Sequence, residues 1–345
     1  MAKQWKAGVI GCGSIAQHLH LPGYVKSPGI APVAACDPVR QRRTEVRRLV
    51  PGLRTYDSAP KMLAAEELDV VSVGSPNRFH AEHAIAALEA GAHVLLEKPA
   101  ALSMTEIATV KRAVRKSRRQ LVVGFSQRFT RGNRKIRKLL ADGVIGEPFM
   151  FRVRYAHAGP FPGWAKDDWF YSPKDAGGGA MLDMGIHAID QAIWQLGPIK
   201  YVQATATALR KKIKVDDNAL LLLEFANSRA LGYLEIGWTT AAGFNGIEIM
   251  GDHGWIHNDY AGPLTVTTGK ITPDTKAKDK LRKRVVDRAP TTGGWSVEVA
   301  EVVRAFRNND DLDCGIDAGG AALQVALAAY QSSKTGKRVK VSSVR

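Results

Sequence analysis

Three ionisable side chains in this sequence occupy positions where they could take part in proton chemistry. Lys98 follows the apolar run HVLL at residues 93–96, after one Glu, and precedes Pro99. An ammonium group at the end of a buried strand is costly unless it is paired or put to use. Asp183 and His187 are four residues apart in the segment GGGAMLDMGIHAIDQ, so a helix would place both on one face. We therefore take these three residues as the candidate catalytic groups.

The Asp183–His187 pair has three interpretations on local sequence alone. It could be a polar pair that only stabilises its helix, half of a metal site, or a catalytic pair. Two ligands without a further His or Cys nearby make a poor zinc site, so we expect no metal. The glycines at 177–179 would let the backbone approach another group closely. The choice between a structural and a catalytic pair stays open at this point.

A glycine pattern near the start predicts a turn that binds a dinucleotide. The segment KAGVIGCGSIA reads as an apolar strand and a turn at Gly11 and Gly13, with Ala16 in the third position of a G-x-G-x-x-G/A pattern. The first glycine permits the turn, the second lets the backbone approach a pyrophosphate, and the small third residue lets helix pack on strand. The helix that opens at Ser14 and Ile15 would offer free N–H groups to the phosphates.

A carboxylate ends the second predicted strand. APVAACDP, at residues 31–38, brings Asp37 to a position where it can accept hydrogen bonds from the adenosine ribose. Its charge would repel a 2′-phosphate, so NAD is favoured over NADP. Arg40, Arg42 and Arg43 oppose this preference, because arginines after this strand can bind a phosphate, and NADP stays possible. The alternative is that Asp37 only forms a turn before the next proline.

Strand and helix patterns alternate over the first 125 residues and then change. Predicted strands at 68–76, 93–99 and 120–125 are separated by predicted helices at 77–91 and 103–117. This alternation predicts a doubly wound parallel sheet with its ligand at the carboxyl ends of the strands, where Lys98 lies. Later segments such as YVQATATAL, NALLLLEFA and RALGYLEIGWTT alternate in part and predict an antiparallel-type sheet.

The predicted fold is therefore α/β with two domains. Residues 1–125 would form an N-terminal Rossmann domain with a doubly wound parallel sheet. Residues 126–345 would form a C-terminal α+β domain with a large, mostly antiparallel sheet that serves substrate binding and oligomerisation. A sheet with one face short of covering helices tends to bury that face against a copy of itself, so we expect a homodimer or homotetramer.

Composition narrows the partners and the compartment. The chain has 49 Lys and Arg against 33 Asp and Glu, a net charge of +16. Its basic clusters, such as 42–48 and 111–119, lie in helix-like stretches without interleaved aromatics or a nucleic-acid-binding motif, so we expect solvated helix faces and no nucleic acid. The sequence has no run of roughly 18 apolar residues, so we expect no membrane partner. The sequence shows no secretory segment, and its three cysteines are scattered. Both observations favour a cytoplasmic location for the protein.

Three motifs in order resemble the Gfo/Idh/MocA family of oxidoreductases. They are GCGSIA at 11–16, SPNRFHAEHAIAALEAGAHVLLEKPAAL at 75–102, and GGGAMLDMGIHAID at 177–190. The resemblance continues through VDDNALLLLEF, IMGDHGWI and AALQVALAAYQSSKTGKRVKV, so it covers nearly the whole chain. It implies a nicotinamide-dependent dehydrogenase or reductase acting on the CH–OH group of a sugar, polyol or sugar derivative.

The resemblance also implies roles for individual residues. Lys98 matches the catalytic lysine of the family, and Asp183 and His187 match its substrate-side pair. The predicted cofactor contacts are Gly11, Gly13, Ser14, Ile15, Ala16, Asp37, Arg40, Ser75, Asn77, His80, Glu97 and Lys98. The predicted substrate contacts are Lys98, Arg128, Trp169, Asp183 and His187. Arg128 could instead form a structural salt bridge, and Trp169 could instead pack in the core.

The expected reaction is hydride transfer between nicotinamide C4 and a carbinol carbon. His187 would act as general base, Lys98 would stabilise the developing negative charge, and Asp183 would orient a neighbouring hydroxyl. The roles of His187 and Lys98 could be exchanged. The alternatives are a redox-neutral glycosidase-like enzyme with tightly bound NAD and a non-catalytic NAD-sensing regulator.

Overall fold

The computed structural model describes residues 3–165, 168–240, 242–269 and 281–344. The chain divides into two compact units. The first unit comprises Met1–Phe125, Pro160–Gly177 and Trp295–Leu323, and the second comprises Ser126–Gly159, Gly178–Gly294 and Gln324–Arg345. The change of unit after Phe125 lies where the sequence pattern changes. Pro160–Gly177 and Trp295–Leu323 nevertheless belong to the first unit. A single domain boundary after residue 125 does not account for these two segments.

The strands of the described residues are short in the first unit and longer in the second. They are β1 (Trp5–Ile10), β2 (Ile30–Cys36), β3 (Arg54–Tyr56), β4 (Val70–Val73), β5 (His93–Leu96), β6 (Leu121–Val123), β7 (Pro148–Ala156), β8 (Ile199–Thr207), β9 (Asn218–Phe225), β10 (Leu231–Gly237), β11 (Gly246–Gly251), β12 (Gly254–Asp259), β13 (Leu264–Thr268), β14 (Arg282–Asp287) and β15 (Val339–Lys340).

The α-helices of the described residues are α1 (Leu21–Lys26), α2 (Arg40–Leu49), α3 (Ala59–Ala65), α4 (His80–Glu89), α5 (Met104–Ser117), α6 (Arg131–Ala141), α7 (Pro173–Ala176), α8 (Ile186–Leu196), α9 (Trp295–Asn308) and α10 (Ile316–Thr335). Two π-helical segments, Ala16–His20 and Met181–Gly185, run directly into α1 and α8. None of the helices that the structure describes is long and apolar enough to cross a membrane.

The first unit contains a six-stranded sheet in the order β3-β2-β1-β4-β5-β6, in which every pair is parallel. This confirms the predicted doubly wound sheet. β4 reads VVSV and is buried at all four positions, as expected for a strand that is covered on both faces. The helix predicted after Lys98 is α5, and it begins with a capping box. Ser103 accepts from the N–H of Glu106, whose carboxylate accepts from the N–H of Ser103.

The second unit contains a nine-stranded sheet in the order β14-β13-β12-β11-β7-β10-β9-β8-β15. Only the β7–β10 pair is parallel, so the predicted large, mostly antiparallel sheet is confirmed. β9 alternates strictly, with Leu221 and Leu223 buried while Leu220 and Leu222 are 59% and 60% exposed. The helix α8 packs on β7 and β10, and this contact positions the Asp183–His187 segment over the sheet.

Candidate active site

The turn after β1 has the geometry of a phosphate-binding loop. Gly11 has φ of 91°, and a Cβ added there would lie 2.5 Å from a backbone oxygen of the loop after β4. A Cβ added at Gly13 would meet nothing within 4 Å. Gly11 is therefore required by the fold, whereas Gly13 leaves open space beside the first helical residues, Ser14 and Ile15. The buried Ala16 packs that helix onto the sheet, so a pyrophosphate fits the predicted position.

Asp37 is fixed at the end of β2 beside this turn. Its side chain is 4% exposed, and Oδ2 accepts from the N–H of Cys12 over 2.9 Å. Oδ1 accepts from the N–H of Val39 over 2.8 Å. A carboxylate offers about four acceptor positions, so these two bonds hold its orientation and leave positions for ribose hydroxyls. The turn role and the predicted ribose role are thus compatible.

The three arginines after β2 differ in their contacts. Arg43 Nη1 donates to the backbone oxygen of Asp37 over 2.6 Å. Arg42 Nη1 lies 3.8 Å from Asp37 Oδ2, and Arg40 is exposed at the first position of α2. Arg43 is therefore occupied by the backbone and Arg42 faces the carboxylate, which agrees with a preference for NAD.

The loops after β4 and β5 are tied together by a histidine. His80 is 1% exposed, with Nδ1 2.7 Å from the backbone oxygen of Pro99 and Nε2 2.8 Å from that of Ser75. Burial lowers the pKa of His80, and the two carbonyl oxygens offset this only in part. Asn77 donates to the backbone oxygen of Ala176 over 2.9 Å. These side chains hold the loops in place, and their direct contact with the cofactor stays a prediction.

Lys98 lies two residues beyond the end of β5, directly after Glu97, which contacts a buried histidine. Glu97 Oε1 lies 3.0 Å from Nε2 of His20, which is fully buried. Burial acts to raise the pKa of Glu97, but the hydrogen bond with His20 and the charge of Lys98 outweigh it and hold this pKa below its ordinary value. Glu298 of α9 is 1% exposed, and burial together with the charge of Glu97 holds its pKa well above the ordinary value. The pKa values of these two carboxyl groups are thus shifted in opposite directions.

The second unit carries the Asp183–His187 pair on one continuous helix. Asp183 lies in the π-helical segment Met181–Gly185, and His187 is the second residue of α8. Their exposed fractions are 5% and 6%. Single π-helical turns within a helix occur frequently at functional sites. Among the residues that the structure describes, no group of three or more His, Cys, Asp or Glu could hold a metal ion.

The glycines before this helix are crowded by protein groups. A Cβ added at Gly178 would lie 2.2 Å from the Tyr330 hydroxyl, and one added at Gly179 would lie 1.9 Å from the backbone oxygen of Asp216. The Asp216 carboxylate accepts from the N–H groups of Gly179 and Met181 and from the Tyr330 hydroxyl, at 2.9, 2.7 and 2.7 Å. Asp216 therefore anchors the start of the helix. Sequence reasoning missed this role, although the segment VDDN was its visible signal.

Two predicted substrate contacts are engaged in packing. Arg128 forms a bidentate salt bridge with Asp190, with Nε–Oδ2 and Nη2–Oδ1 distances of 3.0 and 2.6 Å, and the two residues are 5% and 1% exposed. Breaking a buried pair of this kind typically costs about 3–5 kcal/mol, so Arg128 has the structural role that the sequence left open. Trp169, in the first unit, stacks on Phe170 with ring centroids 3.9 Å apart. A substrate contact stays a prediction for both residues.

Comparison with known proteins matches both halves of the chain. Residues 5–125 match the oxidoreductase family with an NAD-binding Rossmann fold, and residues 133–257 match the GFO/IDH/MocA C-terminal domain. D-glucoside 3-dehydrogenase of Escherichia coli is 34% identical over 56% of this chain and 54% of its own length. The chain thus spans about half of that relative. Myo-inositol 2-dehydrogenase of Thermotoga maritima is 28% identical over 98% of this chain and 99% of its own.

A solved structure shows the same fold. Levoglucosan dehydrogenase in complex with NADH and levoglucosan superposes with a TM-score of 0.84, covering 98% of this chain and 99% of that one. The sequence identity is 23%, so this likeness concerns the fold. The NAD-binding assignment comes from the family match over residues 5–125.

Proposed function

The chain belongs to the Gfo/Idh/MocA family, whose first domain binds NAD, and from this premise we propose that it transfers hydride between NAD(H) and a carbinol carbon of a sugar, polyol or sugar derivative. The observation that carries the proposal is the pairing of Asp183 and His187 at the start of α8. Both side chains are almost buried and belong to one helix. Burying two ionisable groups is costly, and such groups are concentrated at functional sites.

Different residues of this chain accept the proton, stabilise the developing charge and orient the substrate. Bound NAD supplies the hydride acceptor, at nicotinamide C4. When the carbinol C–H bond breaks, His187 accepts the hydroxyl proton, a step that typically contributes 10²–10⁴-fold. Lys98 stabilises the negative charge that develops on the same oxygen. Asp183 accepts a hydrogen bond from a neighbouring hydroxyl and so orients the substrate. In the alternative assignment, His187 and Lys98 exchange roles.

The substrate class rests on the relatives. The named relatives act on a glucoside and on an inositol, and the named solved structure holds levoglucosan. These compounds share a ring with several neighbouring hydroxyls. A carboxylate such as Asp183 can bind one hydroxyl of such a ring while an adjacent carbinol reacts. This supports a polyhydroxylated ring as the substrate of the present chain.

A substrate panel tests the proposal. The purified protein would be mixed with NAD and, separately, with methyl β-D-glucopyranoside, levoglucosan, D-glucose, D-gluconate and myo-inositol, and NADH would be followed by its absorbance. We expect at least one compound to be oxidised. Glycoside cleavage without net NADH would instead support the redox-neutral enzyme. Tight NAD binding without turnover of any compound would support the regulator.

A further inference from the structure

Tyr155 lies beside His187 in the second unit, and its ring is held on two sides. It belongs to β7 and is partly exposed. Its ring meets that of His187 edge to face, with centroids 6.0 Å apart and an interplanar angle of 82°. It meets the ring of Tyr260 in the same way, at 5.8 Å and 84°. Edge-to-face contacts of this kind are favourable, so the position of the phenol is defined.

The direction of the hydrogen bonds behind Tyr155 is set by a backbone carbonyl. Nδ2 of the fully buried Asn133 lies 2.9 Å from the backbone oxygen of Gln127. A carbonyl oxygen only accepts, so Asn133 donates there. The same nitrogen lies 3.2 Å from the side-chain oxygen of Gln127. With Asn133 oriented in this way, Gln127 presents its side-chain oxygen to Asn133 and its nitrogen to the opposite side.

That nitrogen reaches Tyr155. Gln127 Nε2 donates to the Tyr155 hydroxyl oxygen over 2.7 Å. The phenolic oxygen is the acceptor in this bond, so its own proton points elsewhere. Hydrogen bonds within the described part of the chain give that proton no acceptor. Burial and the charge of Asp183 raise the pKa of Tyr155 above its ordinary value, so the hydroxyl is a donor at neutral pH.

We propose that Tyr155 is a substrate-binding residue whose hydroxyl donates a hydrogen bond to an oxygen of the sugar or polyol that His187 and Asp183 engage. This inference rests on the proposed function and adds a specificity rule to it. Asn133, Gln127 and Tyr155 form a chain of donors that all point the same way, and such chains strengthen each successive bond. A substrate that presents only a C–H group to Tyr155 leaves the hydroxyl unpaired and is disfavoured.

The first test removes only the hydroxyl. Tyr155→Phe keeps the ring contacts and should lower kcat/KM on the preferred compound of the panel on the order of 10-fold, with NAD affinity unchanged. Tyr201→Phe is the matched control, because Tyr201 lies in β8 with the Arg338 guanidinium 3.8 Å from its ring centroid, and it should retain wild-type kinetics. Equal kcat/KM for wild type and Tyr155→Phe would overturn the inference.

The second test identifies the oxygen on the substrate. Each hydroxyl of the preferred compound is replaced in turn by hydrogen, and both the wild type and Tyr155→Phe are assayed. At one position the deoxy compound should be a poor substrate for the wild type but no worse than the parent for Tyr155→Phe. If the two losses multiply at every position, Tyr155 donates to none of these oxygens and the inference is wrong.

The third test reverses the direction of the hydrogen bond between residue 127 and the Tyr155 hydroxyl. In Gln127→Glu the new carboxylate only accepts, so it takes the Tyr155 proton away from the substrate. The loss should match that of Tyr155→Phe, and the double variant should lose no more than either single one. Thermal melts check that each variant is folded. A wild type that oxidises no sugar or polyol defeats the proposed function, whereas an active wild type with fully active Tyr155→Phe and Gln127→Glu defeats only the Tyr155 inference.

Discussion

The indole Nε1 of Trp238 donates a hydrogen bond to Oδ2 of Asp183 over 3.3 Å. Trp238 directly follows β10 and is fully buried, so its position is fixed by the sheet. An indole N–H can only donate, and it therefore holds one carboxylate oxygen of Asp183. This bond orients the Asp183 carboxylate, which the proposed function assigns as the acceptor for a substrate hydroxyl.

Replacing this donor tests the role of Asp183. Trp238→Phe should lower kcat/KM on the order of 10-fold, mainly through KM, because a hydrogen bond to a charged group is lost and Asp183 becomes less oriented. It should also lower the free energy of unfolding by about 1–3 kcal/mol, the usual range for a change in a buried side chain. Trp295→Phe is the control, since Trp295 is 61% exposed. A destabilised Trp238→Phe with unchanged KM would mean that the bond is purely structural.

Cofactor selectivity should follow the charge of Asp37. The wild type should bind NAD more tightly than NADP in a fluorescence titration. Asp37→Ala should weaken NAD binding on the order of 10-fold or more, because it removes the acceptor for the ribose hydroxyls. It should also reduce the difference in affinity between NAD and NADP, because it removes the repulsion of a 2′-phosphate. Asp57→Ala is the control, because Asp57 is paired with Lys61 and half exposed. Equal NADP binding by the wild type would show that the neighbouring arginines dominate.

Acid should destabilise the protein through Asp287 of β14. Its side chain is 1% exposed and receives hydrogen bonds from Arg131 and Lys135 at 2.9 and 2.8 Å. The Arg131 hydrogen bond, together with Lys135, holds the pKa of Asp287 well below its ordinary value. A carboxyl whose pKa is lowered by folding stabilises the folded state above about pH 4 and loses that contribution as the pH falls further.

A pH series of thermal melts tests this contribution. Asp287→Asn should melt lower than the wild type at pH 7, and the difference should shrink between pH 4 and pH 3. Asp142→Asn, in a pair with Lys138 that is exposed on both sides, should follow the wild type at every pH. A difference for Asp287→Asn that stays constant down to pH 3 would contradict the assignment.

Local sequence pattern predicted the elements, whereas the contacts that position the site came from the tertiary fold. Both sheets followed from periodicity, since four buried positions in β4 and strict alternation in β9 are visible in the sequence. The contact of His20 with Glu97, and the burial of Glu298, depend on which helices pack on the sheet. No spacing rule relates residues so far apart. The Tyr155–Gln127 hydrogen bond could not be predicted from the sequence for the same reason.

For the glycines at 177–179, the sequence predicted a close approach to the backbone but not which groups approach it. Their sequence implies that something approaches the backbone closely, and the structure shows protein groups at Gly178 and Gly179. The approaching atoms belong to Asp216 and Tyr330, which are distant in sequence. A similar limit applies to segment 295–323, which belongs to the first unit although it lies near the end of the chain.

Assembly should depend on the exposed face of the second sheet. Leu220, Leu222 and Leu231 on the neighbouring strands β9 and β10 are 59%, 60% and 52% exposed. Adjacent exposed leucines on a sheet face favour burial against a second copy, so we expect a homodimer or homotetramer. Leu222→Asp should shift the mass measured by light scattering toward the monomer. Leu209→Asp, at an exposed position outside the strands, should not. A monomeric wild type at micromolar concentration would reject this prediction.

Lys98 should be required for chemistry more than for cofactor binding. If its ammonium stabilises the developing oxyanion, Lys98→Ala should lower turnover on the order of 10²–10³-fold, the usual effect of removing one such donor. NAD affinity should change little, because the glycine turn and Asp37 are untouched. Lys98→Arg should restore little activity, since a guanidinium is larger and stays protonated at every working pH. Lys111→Ala, which breaks only a surface ion pair with Asp317, is the control.

The comparison with His187→Ala separates the two candidate proton-transfer groups. If His187 is the base, its variant should lose the acidic limb of the pH–rate profile, while Lys98→Ala should retain that limb at a lower rate. If the limb disappears only with Lys98→Ala, the roles are exchanged. Near-normal turnover of Lys98→Ala on a confirmed substrate would make the lysine structural. Loss of NAD binding in that variant would make Lys98 a cofactor contact and leave the proton chemistry to His187.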